Sequence, residues 1–266
     1  MDVQSLGYRT DLMVRRLAGS EIVDRGDYVV VRTPGNPTFY WGNFVLFADV
    51  GRAARKLVAV FDRELPDSGH VAIGLDTRDG AVGDPAAWRE LGLLIEPCTV
   101  LTAERLDEPA RPKPAAECRV LDGDDDWEQA AQLRLALAVE ERQRSATHEA
   151  FLRRSLAEAR ALADAGHGWR LGAFVNGRLC AGLGIVMGDR GTARYQQVET
   201  HPQWRRQGLA AALVHEAGLL ALRAGAATLV IAADPDGGAI RVYRSLGFVE
   251  RERQARLWRG LSEPDR

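Results

Sequence analysis

The stretch VETHPQWRRQGLAAALVHEAG, Val198–Gly218, decides how this chain is read. A strand-like segment, ARYQQVET, runs into it, and Arg205, Arg206, Gln207 and Gly208 stand just ahead of an Ala/Leu-rich run. A helix start offers several backbone N–H groups with no acceptor inside the helix, and about half a positive charge. Glycine there lets an anionic group approach the backbone, and arginine forks suit phosphate oxygens. Such a turn can hold a pyrophosphate. Taken alone, it reads equally well as a strand–loop–helix turn with exposed arginines. It is neither a GxxxxGK[ST] loop nor a GxGxxG dinucleotide fingerprint.

Outward from this stretch, the C-terminal half reads as alternating elements. ECRVL is a short strand. The acidic run DGDDDW opens a helix with a capping signal, Asp125 followed by Glu128. A second helix covers about His148 to Asp164. Three strands follow, WRLGAFVN, RLCAGLGIVMG and TARYQQVET, the first two joined at Asn176-Gly177, a hairpin signal. A helix from about Gln207 to Ala224, a buried strand ATLVIAA, a short helix DGGAIRVYRSL and two final strand pieces in GFVERERQARLWRG complete the order βααβββαβαββ. Hairpins mixed with helical crossovers predict a mixed α/β sheet.

The chain has 266 residues, 46% of them hydrophobic, and a formal net charge of −2. That suffices for a buried core and for two domains. The charge balance argues against a nucleic-acid partner held by a broad basic face. Cys98, Cys118 and Cys180 form no CxxC pair, so neither a disulfide framework nor a metal site is expected, and a reducing cytoplasm fits. The first residues carry no apolar signal region, and no apolar run is long enough to span a bilayer. LDEPARPKPAAE, rich in proline and charge, marks a linker. The expected division is 1–106, a linker at 107–116, and 117–266.

Arg205-x-x-Gly208-x-Ala210 resembles the R/Q-x-x-G-x-G/A signature of the GNAT acetyltransferase superfamily. Ala239, Tyr243 and Gly247-Phe248 follow at that family's spacing, with Asp236 where it often has Asn. The resemblance covers about residues 117 to 260. It implies direct transfer of an acetyl group from acetyl-CoA to a primary amine, carried by a small molecule, a peptide or a protein. The implied fold is α/β (α+β): a tandem GNAT-like arrangement with a mixed central sheet, a splayed strand pair and flanking helices. Backbone at Val198, Glu199 and Thr200 would meet the pantetheine arm. Amides from Arg206 through Gln207, Gly208 and Leu209 to Ala210 would hold the pyrophosphate, and the Val198 N–H would polarise the thioester carbonyl. Asp236 and Ala239 would border the same cosubstrate, and Tyr243 would protonate the departing thiolate. No metal and no membrane partner are implied, and a homodimer is compatible with the family.

The base is less legible. Some relatives carry Glu or His at places matching Arg194 and Gln196, neither of which is a plausible base. Glu199 is the remaining candidate on that strand, although strict alternation sends it to the other face. Glu140, Glu141 and His148 lie near the bend between the first two helices, where plain solvated residues are the alternative. A water relay or an amine arriving neutral stays open. His201 and His215 read as strand-end and helix-face residues, and Cys180 as packing. A non-catalytic acyl-CoA-binding or regulatory protein is the second reading, favoured by Arg194 and Gln196 and opposed by Tyr243.

The N-terminal half repeats fragments of the second. GRAARKL from Gly51 parallels GLAAALV from Gly208; HVAIGLD parallels TLVIAAD; WRELGL from Trp88 parallels YRSLGF from Tyr243. Gly51 to Trp88 spans 37 positions and Gly208 to Tyr243 spans 35. This predicts a degenerate internal copy, with Ala48 in the place of Arg205 and Trp88 in the place of Tyr243, so without the side chains that would serve acetyl-CoA. Phe39, Tyr40, Trp41, Phe44 and Phe47 have no counterpart and are expected to build a strand and a contact between domains.

Overall fold

The computed structural model describes residues 1–110, 115–140 and 145–260. The N-terminal elements are α1 (Leu6–Leu17), β1 (Glu21–Asp24), β2 (Tyr28–Arg32), β3 (Phe44–Phe47), α2 (Ala54–Glu64), β4 (His70–Leu75), α3 (Pro85–Glu90) and β5 (Leu94–Ala103). Then come β6 (Glu117–Val120), α4 (Gly123–Glu140), α5 (Ala146–Asp164), β7 (Gly168–Val175), β8 (Arg178–Met187) and β9 (Thr192–Thr200). The last four are α6 (Leu209–Arg223), β10 (Thr228–Ala233), α7 (Gly238–Ser245) and β11 (Val249–Gly260).

By compactness the chain forms two units that are not consecutive segments. One comprises Met1–Val100, Ala232–Pro235 and the strand from Arg251 onward; the other comprises Leu101–Ile231 and Asp236–Glu250. The first switch between units falls at Val100/Leu101, and part of the linker expected at 107–116 lies outside the described residues.

In the first unit β1, β2 and β3 pair antiparallel, and β3 then runs parallel to β4. On the far side of β4 lies β11, antiparallel to it through Arg256↔Gly74 and Trp258↔Ala72, with β5 next in order. Two strand pieces were expected from GFVERERQARLWRG. One continuous strand forms instead, because no Gly, Pro, Asn or Asp interrupts Phe248–Arg259. Its Glu252 is buried and accepts from Ser5 Oγ and from the Leu6 N–H at the start of α1, while Arg78 Nε donates to its other oxygen at 2.9 Å. Phe44, Phe47, Leu57, Phe61, Ile73 and Trp88 share this unit's core. Of the aromatic run, Tyr40 stacks on His70 and Trp41 packs on Phe44, all within the unit.

The repeated fragments occupy equivalent places. β3–α2–β4–α3 and β9–α6–β10–α7 each run strand, helix, parallel strand, short helix. The helix starts differ. Gly208 is the N-cap of α6 at φ +85°, whereas α2 begins at Ala54, three residues after Gly51, with Ala53 as its N-cap.

The second unit's sheet has the order β10-β9-β8-β7-β6, with only the β9–β10 pair parallel. The hairpin at Asn176-Gly177 forms as expected, both residues at positive φ. Helix α6 covers the face that carries Tyr195, whose hydroxyl donates to the Val214 carbonyl at 2.7 Å. Helix α4 covers the opposite face, where Leu133 lies against Gly182. The start of α4 is capped three residues earlier than expected: the Asp122 N–H donates to Asp126, and Glu128 instead pairs with Gln132 and Arg153.

Candidate active site

Two irregularities open the second unit's sheet. β9 pairs with β10 only from Thr192–Arg194 to Thr228–Val230, yet continues to Thr200, so the two strands part along six residues of β9. Against β8, Glu199 faces Gly182 and Gln196 faces Gly184, so Gln197 and Val198 together stand opposite Leu183. This is a β-bulge, with Gln197 at φ +50°. A bulge leaves one residue outside the ladder, and Val198, next to Gln197, lines the gap.

A cavity of about 1010 Å³ lies there. Val198, Glu199 and Thr200 form one wall; Gly208, Leu209 and Ala210 meet them at the start of α6. By helix geometry the amides of Leu209, Ala210 and Ala211 have no acceptor within α6, and no side chain caps them. Arg206, a non-glycine residue at φ +63°, and Gly208 at +85° shape this turn. Nothing lies within 4 Å of where a Gly208 Cβ would stand, so the approach to these amides is open. The arrangement is an anion seat beside a strand end with unladdered backbone.

Tyr243 on α7 lines the same cavity. Its side chain is buried beside Phe248, and burial pushes its hydroxyl up to about 12. It is therefore a neutral phenol throughout the physiological range, able to donate a proton or a hydrogen bond.

The family model for acetyltransferases of the GNAT family matches residues 127–248. The chain contains a GNAT acetyltransferase domain. Among solved structures, a functionally unknown conserved protein from Staphylococcus epidermidis is 14% identical with a TM-score of 0.70, over 91% of this chain and 95% of its own. A GCN5-related N-acetyltransferase from Kribbella flavida is 17% identical with a TM-score of 0.63, over 96% of both chains. A tandem GNAT protein from the clavulanic acid biosynthesis pathway is 16% identical with a TM-score of 0.54, over 95% of this chain and 89% of its own. At these identities the likeness is one of fold, and it extends the GNAT architecture to the N-terminal half. No curated protein matches the chain.

Of the residues expected to serve a GNAT cosubstrate, Val198, Glu199, Thr200, Arg205, Arg206, Gly208, Leu209, Ala210, Ala239 and Tyr243 line the one cavity. Gln207 and Asp236 do not: Gln207 Nε2 turns back to the Gln203 carbonyl at 3.2 Å, and Asp236 is exposed. Arg205 sits at the cavity rim in a two-point pair with Glu140. His148 lines the cavity from α5, and Glu141 lies outside the described residues. His201 accepts from the Gln203 N–H, His215 is buried on α6, and burial raises the Cys180 thiol.

Glu199 departs from the strict alternation expected for it. The bulge inserts a residue, so Glu199 shares the face of Gln196 and Arg194. There it meets two arginines unmarked by the sequence reading. Arg170 on β7 donates from Nη2 to Glu199 at 3.1 Å and from Nη1 to Gln197 at 2.9 Å. Arg134 on α4 brings Nε within 3.1 Å of the other Glu199 oxygen. Arg170 reaches so far because Gly184, directly opposite, and Gly182 leave a trough across β8: added Cβ atoms would stand 3.9 and 3.7 Å from its terminal nitrogens. Both Glu199 oxygens are thus committed, and the geometry is that of an ion-pair partner. A signal existed in the sequence: an arginine inside the apolar run WRLGAFV, one hairpin away from Gly182-x-Gly184.

Among the described residues no group of three or more His, Cys, Asp or Glu could hold a metal ion, and no helix is long and apolar enough to cross a membrane.

Proposed function

We propose that the protein is an acetyl-CoA-dependent N-acetyltransferase that passes the acetyl group directly to an amine. The observation that carries this reading is the meeting, in one cavity, of the uncapped α6 start, the bulged Val198 backbone and the neutral Tyr243 hydroxyl. Acetyl-CoA, when bound, supplies an acetyl group activated as a thioester. The amides of Leu209, Ala210 and Ala211, helped by Arg206, hold its pyrophosphate. Backbone at Val198 and Thr200 orients the arm in the gap between β9 and β10. The Val198 N–H stabilises negative charge as it develops on the carbonyl oxygen. Tyr243 gives its proton to the departing sulfur, and the proton lost by the amine balances it. With Glu199 held by two guanidinium groups, the amine arrives neutral or loses its proton through water.

A turnover screen with acetyl-CoA across amine classes, read by product mass, tests this. Binding of acetyl-CoA without turnover of any amine would favour the non-catalytic acyl-CoA-binding reading. Failure to bind at millimolar acetyl-CoA would sink both.

A further inference from the structure

We propose that the acceptor is an amine bearing a nearby carboxylate, an amino acid, and that Arg134, with the charge of Arg170 behind it, is the seat for that carboxylate. The inference rests on the acetyltransferase reading and narrows its substrate. Arg134 and Arg170 are both more than nine-tenths buried, and Glu199 is the acid between them. Among the described residues these two guanidinium groups share one carboxylate, which leaves an excess positive charge away from bulk water. A buried charge without a counter-ion is costly. The field around Arg170 says the same: burial disfavours its charged form most, Glu199 favours it, and Arg134 opposes it.

Arg134 faces the cavity, and its Nη1 finds no hydrogen-bond partner among the described residues. An arginine fork engages a carboxylate at two points. The cluster adjoins Val198, the backbone assigned to the reacting carbonyl. An anion seated there lies within a few bonds of the nitrogen that attacks. Leu137, Ala138 and Leu152 line the cavity near Arg134 and leave an apolar surface for the rest of the acceptor. A lysine side chain within a protein or the N-terminus of a long peptide brings no such carboxylate.

The test uses the full chain with acetyl-CoA. L-Leucine, L-leucinamide and isoamylamine are compared by kcat/KM, expressed per neutral amine, with the same comparison for glycine and phenylalanine and their amides. The free acids are expected to lead by about 10- to 100-fold, the range for a hydrogen bond to a charged group. Arg134→Gln should bring acid and amide within about threefold, and Arg134→Lys should restore part of the preference. Binding gives a second readout: with CoA present, N-acetyl-L-leucine should protect the protein against heat and N-acetyl-L-leucinamide should not. Amides used as well as acids overturn the carboxylate seat and leave acetyl transfer standing. If no amine reacts, equal behaviour of the two acetylated compounds overturns it. Failure of acetyl-CoA itself to bind overturns the underlying reading as well.

Discussion

Arg205 gives both terminal nitrogens to Glu140, Nη1 to one carboxylate oxygen at 2.9 Å and Nη2 to the other at 2.5 Å. The pair ties the end of α4 to the turn ahead of α6. A phosphate arriving at that turn competes with Glu140 for the same fork. Exposed pairs are weak, so the competition is mild. Glu140→Gln should tighten acetyl-CoA binding by up to about fivefold at low salt and less at high salt. Calorimetry on the variant checks this; weaker binding would mean that Glu140 aims Arg205 instead of occupying it.

Tyr243→Phe should lower kcat by roughly 10²–10⁴-fold, with acetyl-CoA affinity nearly unchanged. The pH profile makes a second demand. Burial holds the hydroxyl near 12, so no fall in kcat from its ionisation should appear below about pH 11. The same raised value bears on stability. Above pH 10 the unfolded chain loses this proton while the folded one keeps it. The stability contribution is full below pH 10 and is lost as pH climbs toward 12. A loss of kcat with an apparent value near 10 that disappears in the phenylalanine variant would contradict the buried phenol.

Gly208→Ala asks whether the α6 start binds the cosubstrate. The new methyl meets no atom, but a φ of +85° costs an L-residue about 1–2 kcal/mol. The variant should stay folded by circular dichroism and lose thermal protection by acetyl-CoA, with Kd raised at least about tenfold. An unchanged Kd would move the pyrophosphate elsewhere.

Gly184→Val should close the trough that Arg170 crosses. The position of its Cβ is already 3.4 Å from Gln196 Cβ, so a branched side chain forces a shift. Overpacking of this kind costs about 1–3 kcal/mol, and turnover should fall further than the melting temperature alone explains. Gly182→Ala, whose nearest contact would be 3.6 Å, serves as the mild control.

Trp88→Ala should cost about 3–5 kcal/mol. The indole is almost fully buried in the first unit's core and donates to the Val82 carbonyl at 2.7 Å. Acetyl-CoA affinity of the folded fraction should not change. A large change in that affinity would give the first unit a part in binding.

Much of the second unit was legible because its signals are local. Asn176-Gly177 fixes a hairpin, Gly208 a helix start, and Tyr243 with Gly247-Phe248 a short helix at a set distance. The charge cluster was not legible, because two bulges decide it. Without the shift between Ala173 and Phe174, Arg170 would face Leu183; with it, Arg170 faces Gly184. Without the bulge at Gln197, Glu199 would point to the α6 side. A one-residue slip reverses a strand's faces, and nothing in the composition of YQQVET announces it. The place of β11 was hidden for another reason: pairing over such a distance in sequence leaves no periodicity behind.

The β4–β11 pairing also sets a timetable. β4 ends at Leu75 and β11 begins at Val249. At the usual pace of translation, about 10–35 s separate the emergence of the two strands from the peptidyl centre. Through that interval the first unit, although made first, lacks a strand, and its β4 edge and the α1 N-terminus wait for Arg256 and Glu252. An unpaired edge of buried residues is a site for unwanted association. Slower synthesis of the second half should therefore lower the soluble yield, and a chaperone that shields strand edges should restore it.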